Sequence, residues 1–272
     1  MLTIPNVFNG LPQMKALTLF ALASLCATQL HAADLYSGYE GNAFELTSGK
    51  MIYIESHYLH FVDAALSDRV VLYRCPNGKA FGRKIMRIKG KPLMPEFELT
   101  DARLGYREGL ATRPGGLTVF YQMSGKKAEK SDTLDAKRAL VADAGFDEFV
   151  RTHWTTLVGG NSVALDFVVP SQLDYLGFKV KWVKKAAIDG EAVQVFKLAP
   201  SGILGWVASG LDVTYADSDR SLRQFSGLSN IRDLSRDNYE AKIDFPKSKR
   251  VSYTSATELN AARTSTLVNS CQ

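Results

Sequence analysis

Hydrophobic and polar residues alternate with a period of two along much of the chain after residue 50. In 239–245 the aromatic and aliphatic side chains fall on odd positions and the charged ones on even positions, and in 178–182 apolar residues alternate with Lys179 and Lys181. This alternation is typical of an antiparallel sheet with one face on a core and the other in water. Further strands are predicted at 51–62, 70–75, 80–89, 117–123, 163–169, 193–198, 211–215 and 221–225.

One segment follows helical spacing instead. Apolar side chains recur at intervals of three and four residues from Phe146 to Leu157 and form a single stripe. Asp143 is a suitable N-cap, and Gly159-Gly160 is a suitable stop. We therefore predict one main helix over about 143–158. The expected fold class is α+β, with a curved, mostly antiparallel, half-barrel-like sheet packed on that helix.

The first 32 residues follow the pattern of a secretory signal peptide. Met14-Lys15 opens a basic region, and the uncharged apolar run at 16–27 is shorter than the roughly 20 residues of a membrane-spanning helix. We expect Met14 to be the start residue, cleavage after Ala32, and a periplasmic or secreted chain with no transmembrane segment after signal removal. The mature chain is then one β-rich domain at 33–246, followed by a polar, flexible tail at 247–272.

Two cysteines remain after signal removal, Cys75 and Cys271. They could pair in an oxidising compartment, but the sequence does not fix their distance, so a disulfide and two free thiols both stay open. The formal net charge of +5 is spread along the chain without a clustered aromatic and basic surface, which excludes nucleic acid as a partner. We interpret the basic run at 79–91 as an exposed strand edge protected by Lys and Arg.

Candidate chemistry is sparse, because the sequence holds no phosphate-binding loop, nucleophile elbow, HExxH, CxxC or dinucleotide fingerprint. We therefore expect no cofactor and no metal site. Glu55 and His57 share one face of a strand and are a candidate acid–base pair, and His153 in the helical stripe is a candidate buried base. We favour the structural interpretation of all three, as solvent-facing strand positions and a hydrogen-bonded core histidine.

The composition favours a non-catalytic binding protein over an enzyme. The chain has 14 Phe, 11 Tyr and 3 Trp, which could line the concavity of the sheet and hold a hydrophobic or lipid-like ligand. The candidate lining residues are Phe178, Val180, Trp182, Trp206, Tyr239, Ile243 and Phe245. Two alternatives stay open: a periplasmic hydrolase that uses His57 with Glu55, or His153, and a structural or interaction protein with a partner in the cell envelope.

Four segments carry a resemblance to known proteins: 36–41 (YSGYEG), 72–81 (LYRCPNGKAF), 143–150 (DAGFDEFV) and 227–233 (GLSNIRD). Together they resemble uncharacterised proteins exported by Gram-negative bacteria, over most of the mature chain. No activity is assigned to that group, so the resemblance implies no catalytic residue. The segment 213–245 also resembles the curved antiparallel sheets of periplasmic domains of unknown function and, more distantly, the half-barrel of lipoprotein carriers, which is an analogy of fold alone.

Overall fold

The computed structural model describes residues 34–125, 127–135, 139–201, 210–251 and 254–272. The predicted signal peptide at 1–32 lies outside the described residues. The strands within them are β1 (Leu35–Glu45), β2 (Met51–Val62), β3 (Ala65–Arg74), β4 (Ala80–Arg87), β5 (Glu96–Asp101), β6 (Tyr106–Arg113), β7 (Gly116–Gln122), β8 (Lys130–Leu134), β9 (Leu140–Val141), β10 (Val163–Val169), β11 (Asp174–Ile188), β12 (Glu191–Pro200), β13 (Leu211–Ala216), β14 (Leu222–Arg232), β15 (Asn238–Asp244) and β16 (Arg250–Val251). The α-helices are α1 (Gly145–Thr152), α2 (Trp154–Val158) and α3 (Ala256–Thr264).

All these strands belong to one large, curved, unclosed sheet. Its order is β8-β7-β6-β5-β4-β3-β2-β1-β15-β14-β13-β12-β11-β10-β9, and β16 pairs with β1. Neighbours are antiparallel except β9 and β10, which are parallel. The sheet therefore consists of two meanders, β1–β8 and β9–β15, joined where β1 pairs with β15. This confirms the predicted curved and mostly antiparallel sheet.

The curvature brings the two ends of the sheet together through side chains. Met86 and Leu110 of the first meander share a buried cluster with Leu140 and Val168 of the second. The short 3-10 turn at Pro170–Gln172, which follows β10, contacts β6 and β7. The sheet therefore has a concave inner face, which lines a cavity.

Helices α1 and α2 cover the inner face of the second meander. Phe146, Phe149 and Val150 of α1 pack with Trp154 and Leu157 of α2 in one buried cluster. The sheet residues in this cluster are Leu165, Val180, Phe196, Leu198, Val213 and Tyr215. The apolar stripe predicted from the sequence is therefore the buried surface, and Gly159 ends α2 as expected.

The single helix expected at 143–158 is interrupted at His153, which has φ −98° and ψ 13°. Its backbone N–H and its Nδ1 both bond to the carbonyl oxygen of Phe149, at 3.1 and 2.9 Å. A side chain that bonds into the hydrogen-bond ladder of a helix is a recognised cause of a kink. The N-cap is also Ala144 rather than the expected Asp143, whose φ is +45°.

The C-terminal segment differs from the polar, flexible tail expected at 247–272. Its helix α3 begins with a capping box formed by Ser255 and Glu258, and it buries Leu259 and Ala262 against the outer face of β3. Cys75 and Cys271 form a disulfide with a Cα–Cα distance of 5.3 Å. The segment was predicted to be flexible because it is mostly polar, but two of its few apolar residues are buried. The Ser-x-x-Glu sequence of a capping box was a signal for the start of a helix.

The basic run at 79–91 is not a sheet edge, because β4 lies between β3 and β5. Its Lys84 is 8% exposed and forms an ion pair with Asp143. In the described part of the chain, no helix is both long and apolar enough to cross a membrane.

Candidate functional site

A cavity of about 520 Å³ lies on the inner face of the sheet. Strands of both meanders line it, and Ala144, Phe146 and Asp147 beside the start of α1 close one side. Cavities of roughly 300–1,000 Å³ are the usual size of small-molecule sites. The two meanders give this cavity two different walls.

The wall formed by the second meander is mostly apolar, although the polar residues Ser171, Gln172, Ser229, Asn230, Arg232 and Asn238 also line the cavity. Ile243 of β15, Phe225 of β14 and Val213 of β13 are direct cross-strand partners, so their side chains point to the same face. The Phe245 ring packs directly on the backbone of Gly41 in β1. A Cβ at this position would lie 2.3 Å from the ring, so the contact requires glycine. The apolar side chains of this wall are Phe167, Leu176, Phe178, Leu198, Leu211, Val213, Leu222, Phe225, Ile243 and Phe245.

The wall formed by the first meander carries ionisable groups. His57, Val71, Lys84, Leu99 and Glu108 are successive cross-strand partners from β2 to β6 and therefore point to one face. The ionisable residues of this polar wall are Glu55, His57, Arg69, Lys84 and Glu108, each less than 9% exposed. Buried ionisable groups are uncommon unless they are paired, so their partners determine what this wall can bind.

Glu55, His57 and Arg69 form a hydrogen-bonded chain. Arg69 donates from Nη2 to His57 Nδ1 at 2.8 Å, so His57 carries its proton on Nε2 and donates it to Glu55 Oε2 at 2.8 Å. The His57 ring also stacks on Tyr39 with 4.2 Å between ring centroids. Both ring nitrogens of His57 are thus engaged by protein groups.

Two ion pairs connect this wall to the segment that begins α1. Arg69 Nη1 donates to Asp147 at 3.4 Å, and Tyr215 of the opposite meander donates to the same carboxylate at 2.8 Å. Lys84 Nζ donates to both carboxylate oxygens of Asp143 at 2.8 Å. The ion pairs hold the start of α1 at the edge of the cavity.

Burial dominates the electrostatics of the polar wall. It raises the pKa of Glu55 to about 7, although Lys84 and Arg69 act in the opposite direction. Burial also raises the pKa of Glu108, while the Tyr106 hydroxyl that donates to it lowers that pKa. The pKa of His57 lies well below its ordinary value because of burial and then the neighbouring Arg69. His57 is accordingly neutral at pH 7.

Three of the seven predicted ligand-contact residues line the cavity: Phe178, Ile243 and Phe245. The other described ones have different surroundings, because Val180 is fully buried beneath the helices and Trp182 donates to Gln194 at 2.8 Å. Tyr239 packs beside Tyr53 with ring centroids 6.4 Å apart. Trp206 lies outside the described residues.

The structure brings Glu55 and His57 together, as their shared strand face predicted, but it buries them on the inner face. The expectation that they face solvent is therefore wrong, because the curvature of the sheet encloses this face of β2. His153 lies outside the cavity lining and bonds to the Phe149 carbonyl. Within the described ranges, no group of three or more His, Cys, Asp or Glu side chains is arranged to hold a metal ion.

Sequence reasoning missed most of the polar wall. Arg69 directly precedes the apolar run Val70-Val71-Leu72 of β3, and a charged residue beside a run that is typical of a buried strand was a usable signal. Lys84 and Glu108 carry no comparable signal, because neither directly adjoins a run of three apolar residues. Their assignment to the cavity requires the register of the strands.

Neither protein-family models nor curated proteins match this chain. Several solved structures are similar to this chain at low TM-scores. A β-barrel-like protein of the domain of unknown function DUF1849 from Brucella abortus has a TM-score of 0.38 and 9% identity, covering 82% of this chain and 98% of its own. A DUF1329 family protein from Desulfovibrio piger has a TM-score of 0.31 and 9% identity. The match covers 79% of this chain and 85% of that protein.

A third structure is a domain described as a putative outer membrane lipoprotein-sorting protein, from Vibrio parahaemolyticus. It has a TM-score of 0.27 and 7% identity, covering 84% of this chain and 88% of its own. Domains of unknown function and lipoprotein-handling domains are also the groups that the sequence resembles.

Proposed function

We propose that this chain is an exported envelope protein that binds a hydrophobic or lipid-like ligand in the cavity of its curved sheet and catalyses no reaction. The observation that carries this proposal is the mostly apolar wall of the cavity of about 520 Å³, where Phe178 and Phe225 pack against the core on one side and stay partly exposed. Burial of a hydrocarbon chain there removes apolar area from water, which stabilises the complex by roughly 25 cal/mol per Å².

An oxidising compartment fits the same proposal. The chain has a disulfide between Cys75 and Cys271, and such bonds persist in the periplasm and outside the cell. The signal sequence expected at 1–32 would deliver the chain there. We therefore propose a periplasmic or secreted location.

The hydrolase alternative has less support. A general base needs a nitrogen or oxygen within hydrogen-bond reach of the proton that it takes. Both nitrogens of His57 are already hydrogen-bonded to Glu55 and Arg69, and His153 does not line the cavity. The Glu55–His57 pair is better explained as part of a structural network.

The first experiment is to purify the mature chain from a bacterial periplasm under native conditions, extract it with organic solvent, and identify bound molecules by mass spectrometry. A stoichiometric lipid or apolar metabolite is the expected result. A ligand-free protein that also fails to bind N-phenyl-1-naphthylamine, a fluorescent apolar probe, would contradict the proposal and favour an interaction role in the envelope.

A matched pair of variants tests whether the binding occurs in this cavity. Leu176→Trp adds volume to the apolar wall, whereas Leu234→Trp makes the same change at a position that is 76% exposed. We expect the first variant to weaken probe binding at least ~10-fold and the second to leave it unchanged. Equal binding by both variants would move the site elsewhere.

A further inference from the structure

A second cavity, of about 750 Å³, lies next to the first. The two linings share Arg69, Ala144, Asp147 and Leu222. The rest of the second lining comes from the β2–β3 hairpin, the segment 88–95 that follows β4, the middle of α1, and Arg250 of β16. The proposed function makes no use of this space, which is large enough for a small molecule.

One side of the second cavity is apolar. Its lining includes Leu59 and Phe61 of β2 and Leu66 of β3, all of them partly exposed. Phe61 and Leu66 are direct cross-strand partners, so they form one continuous apolar surface. A hydrocarbon chain that covers these side chains would remove their apolar area from water.

The carboxylates of this lining already have cationic partners. Asp147 pairs with Arg69 at 3.4 Å, and Glu148 pairs with Arg151 at 3.3 Å. These are the acidic residues of the described lining. The cavity therefore offers no unpaired carboxylate to a cationic ligand.

Arg250 is different, because it is the lining cation that lacks an ion pair in the described part of the chain. Lys89, which also lines the cavity, pairs with Glu96 at 2.7 Å. The Arg250 guanidinium lies over the Tyr39 ring, 4.5 Å from its centroid, and its Nη2 donates to the Leu222 carbonyl. Within the described residues, its Nη1 has no acceptor and no carboxylate lies within ion-pair distance. The lining thus carries one positive charge in excess.

The unpaired cation and the apolar side of the cavity are adjacent. Arg69 is the direct cross-strand partner of Leu59 on one side and of Met86 on the other, and both of these apolar residues line the cavity. The Arg69 guanidinium lies 5.6 Å from the centroid of the same Tyr39 ring that Arg250 covers. One amphiphile can therefore reach both Arg250 and the apolar surface.

The electrostatics of Arg250 favour an anion beside it. Burial lowers the pKa of Arg250, and the neighbouring cations Arg223 and Arg69 act in the same direction. Tyr39 and Asp219 act in the opposite direction, but Asp219 lies outside the cavity lining and pairs with Arg223 at 3.6 Å. A partly desolvated cation beside other cations is costly unless an anion meets it.

We propose that the second cavity binds an amphiphile whose head group is an oxyanion with one negative charge, a carboxylate or a phosphodiester, held by Arg250. Its hydrocarbon chain lies on Leu59, Phe61 and Leu66. A planar guanidinium matches the paired oxygens of either head group. A neutral head group would leave the charge of Arg250 without a partner. This site is separate from the cavity of the proposed function, so either can fail without the other.

The first test is isothermal titration calorimetry of the mature protein at pH 8 with four ligands of the same chain length: dodecanoic acid, lauroyl lysophosphatidylglycerol, dodecanol and dodecylamine. We expect the two anionic ligands to bind at least ~10-fold more tightly than dodecanol and dodecylamine, because hydrogen bonds to charged groups are the stronger ones. A preference between the two anions would identify the head group as a carboxylate or a phosphodiester. Equal binding of the anions and dodecanol would overturn the oxyanion head group.

Variants of Arg250 test the assigned cation. Arg250→Gln should abolish the preference for the anionic ligands, and Arg250→Lys should keep part of it, since it retains the charge without the planar donors. The matched control is Arg87→Gln, which removes the same charge from an exposed residue. Arg87 lies between Met86 and Ile88 of the lining, but its side chain points to the other face of the strand, so binding should not change. A preference that survives in Arg250→Gln would overturn the proposal.

A second pair of variants distinguishes the two cavities. Ala65→Trp adds volume at an exposed residue that lines the second cavity, whereas Leu176→Trp does so in the first. We expect Ala65→Trp to weaken binding of dodecanoic acid at least ~10-fold and Leu176→Trp to leave it unchanged. The reverse result would place the anion in the first cavity and overturn this site. Because Ala65 is at the surface, its variant decides the location even if Arg250→Gln does not fold.

The proposed function fails in a different way. If N-phenyl-1-naphthylamine binding is insensitive to Leu176→Trp while dodecanoic acid still depends on Arg250, the first cavity loses its assigned role and the second keeps its own.

Discussion

The two meanders of the sheet use their faces in opposite ways. In β1–β8 the inner face carries buried charges, and α3 covers the outer face of β3. The turn that follows β3 is joined to the C-terminal segment by the Cys75–Cys271 disulfide. In β9–β15 the inner face is apolar beneath α1 and α2, and the outer face is open to water at Lys179 and Lys181. Most of the buried charge thus lies in the first meander, while the second buries Arg223 of β14, which is 3% exposed and paired with Glu191.

The burial of single strands shows the same difference. Five consecutive residues of β3, from Arg69 to Tyr73, are buried, whereas exposed and less exposed positions alternate along much of β11. A strand enclosed on both faces cannot expose a charge to water, so each charge on it needs a partner within the protein. The stability of the polar wall therefore depends on the segments that shield its strands from water and on the partners of its charges. Three predictions test that dependence.

The largest effect is expected from the disulfide. Its half-cystines are separated by 196 positions in the sequence, and chain entropy assigns up to ~5 kcal/mol to the closure of so long a loop. Cys75→Ala combined with Cys271→Ala should lower the free energy of unfolding accordingly, measured by urea denaturation. A loss below ~1 kcal/mol would show that the packing of α3 on β3 does not depend on this disulfide.

The next effect concerns the buried cation of the polar wall. Arg69→Met leaves Asp147, whose side chain is 15% exposed, without its ion-pair partner and should cost ~3–5 kcal/mol of unfolding free energy in the same assay. Arg107→Met is the matched control, because Arg107 pairs with Glu98 at the surface and should cost at most ~1 kcal/mol. Similar losses in both variants would contradict the difference between covered and exposed charge.

A smaller effect should appear as a dependence on pH. Since burial raises the pKa of Glu55 from 4.5 to about 7, its ionisation opposes folding: the wild type loses stability as the pH rises from 4.5 to 7, and the loss stays complete above pH 7. Glu55→Gln lacks this titration, so its stability relative to wild type should rise by up to ~3 kcal/mol over that range. The measurement is urea denaturation at about pH 5, 6, 7 and 8.

The control for this pH dependence is Glu240→Gln, which alters an exposed carboxyl and should show no such trend. A difference between Glu55→Gln and wild type that stays flat with pH would contradict the burial of an ionisable carboxyl on the inner face.

The sequence predicted the alternating strands well. The bounds of β2 agree with the predicted 51–62, and Ala241, Ile243 and Phe245 share the buried face that their spacing indicated. Strands β1 and β6 were missed because glycines interrupt their pattern. At Gly109 a Cβ would lie 2.2 Å from the Phe97 carbonyl oxygen, so the residue that weakens the strand signal is required by the close packing of the sheet.

The polar wall could not be predicted, because a charged residue looks the same in a sequence whether its face is wet or enclosed. Lys84 resembles the other basic residues of 79–91, and its partner Asp143 lies in a different part of the chain. Only the curvature of the sheet and the position of α1 bring the two together. Local patterns give the faces of a strand, whereas the environment of each face is a long-range property.

The pairing of β1 with β15 has a consequence for the order of folding. Asn42 pairs with Asp244, so the first strand finds this neighbour only when nearly the whole chain is present. Hairpins within each meander are local and can form early, but the seam between the meanders has a high contact order and forms late. Until then, this edge of β1 presents unpaired backbone groups, which makes the incompletely folded chain prone to pairing with other strands.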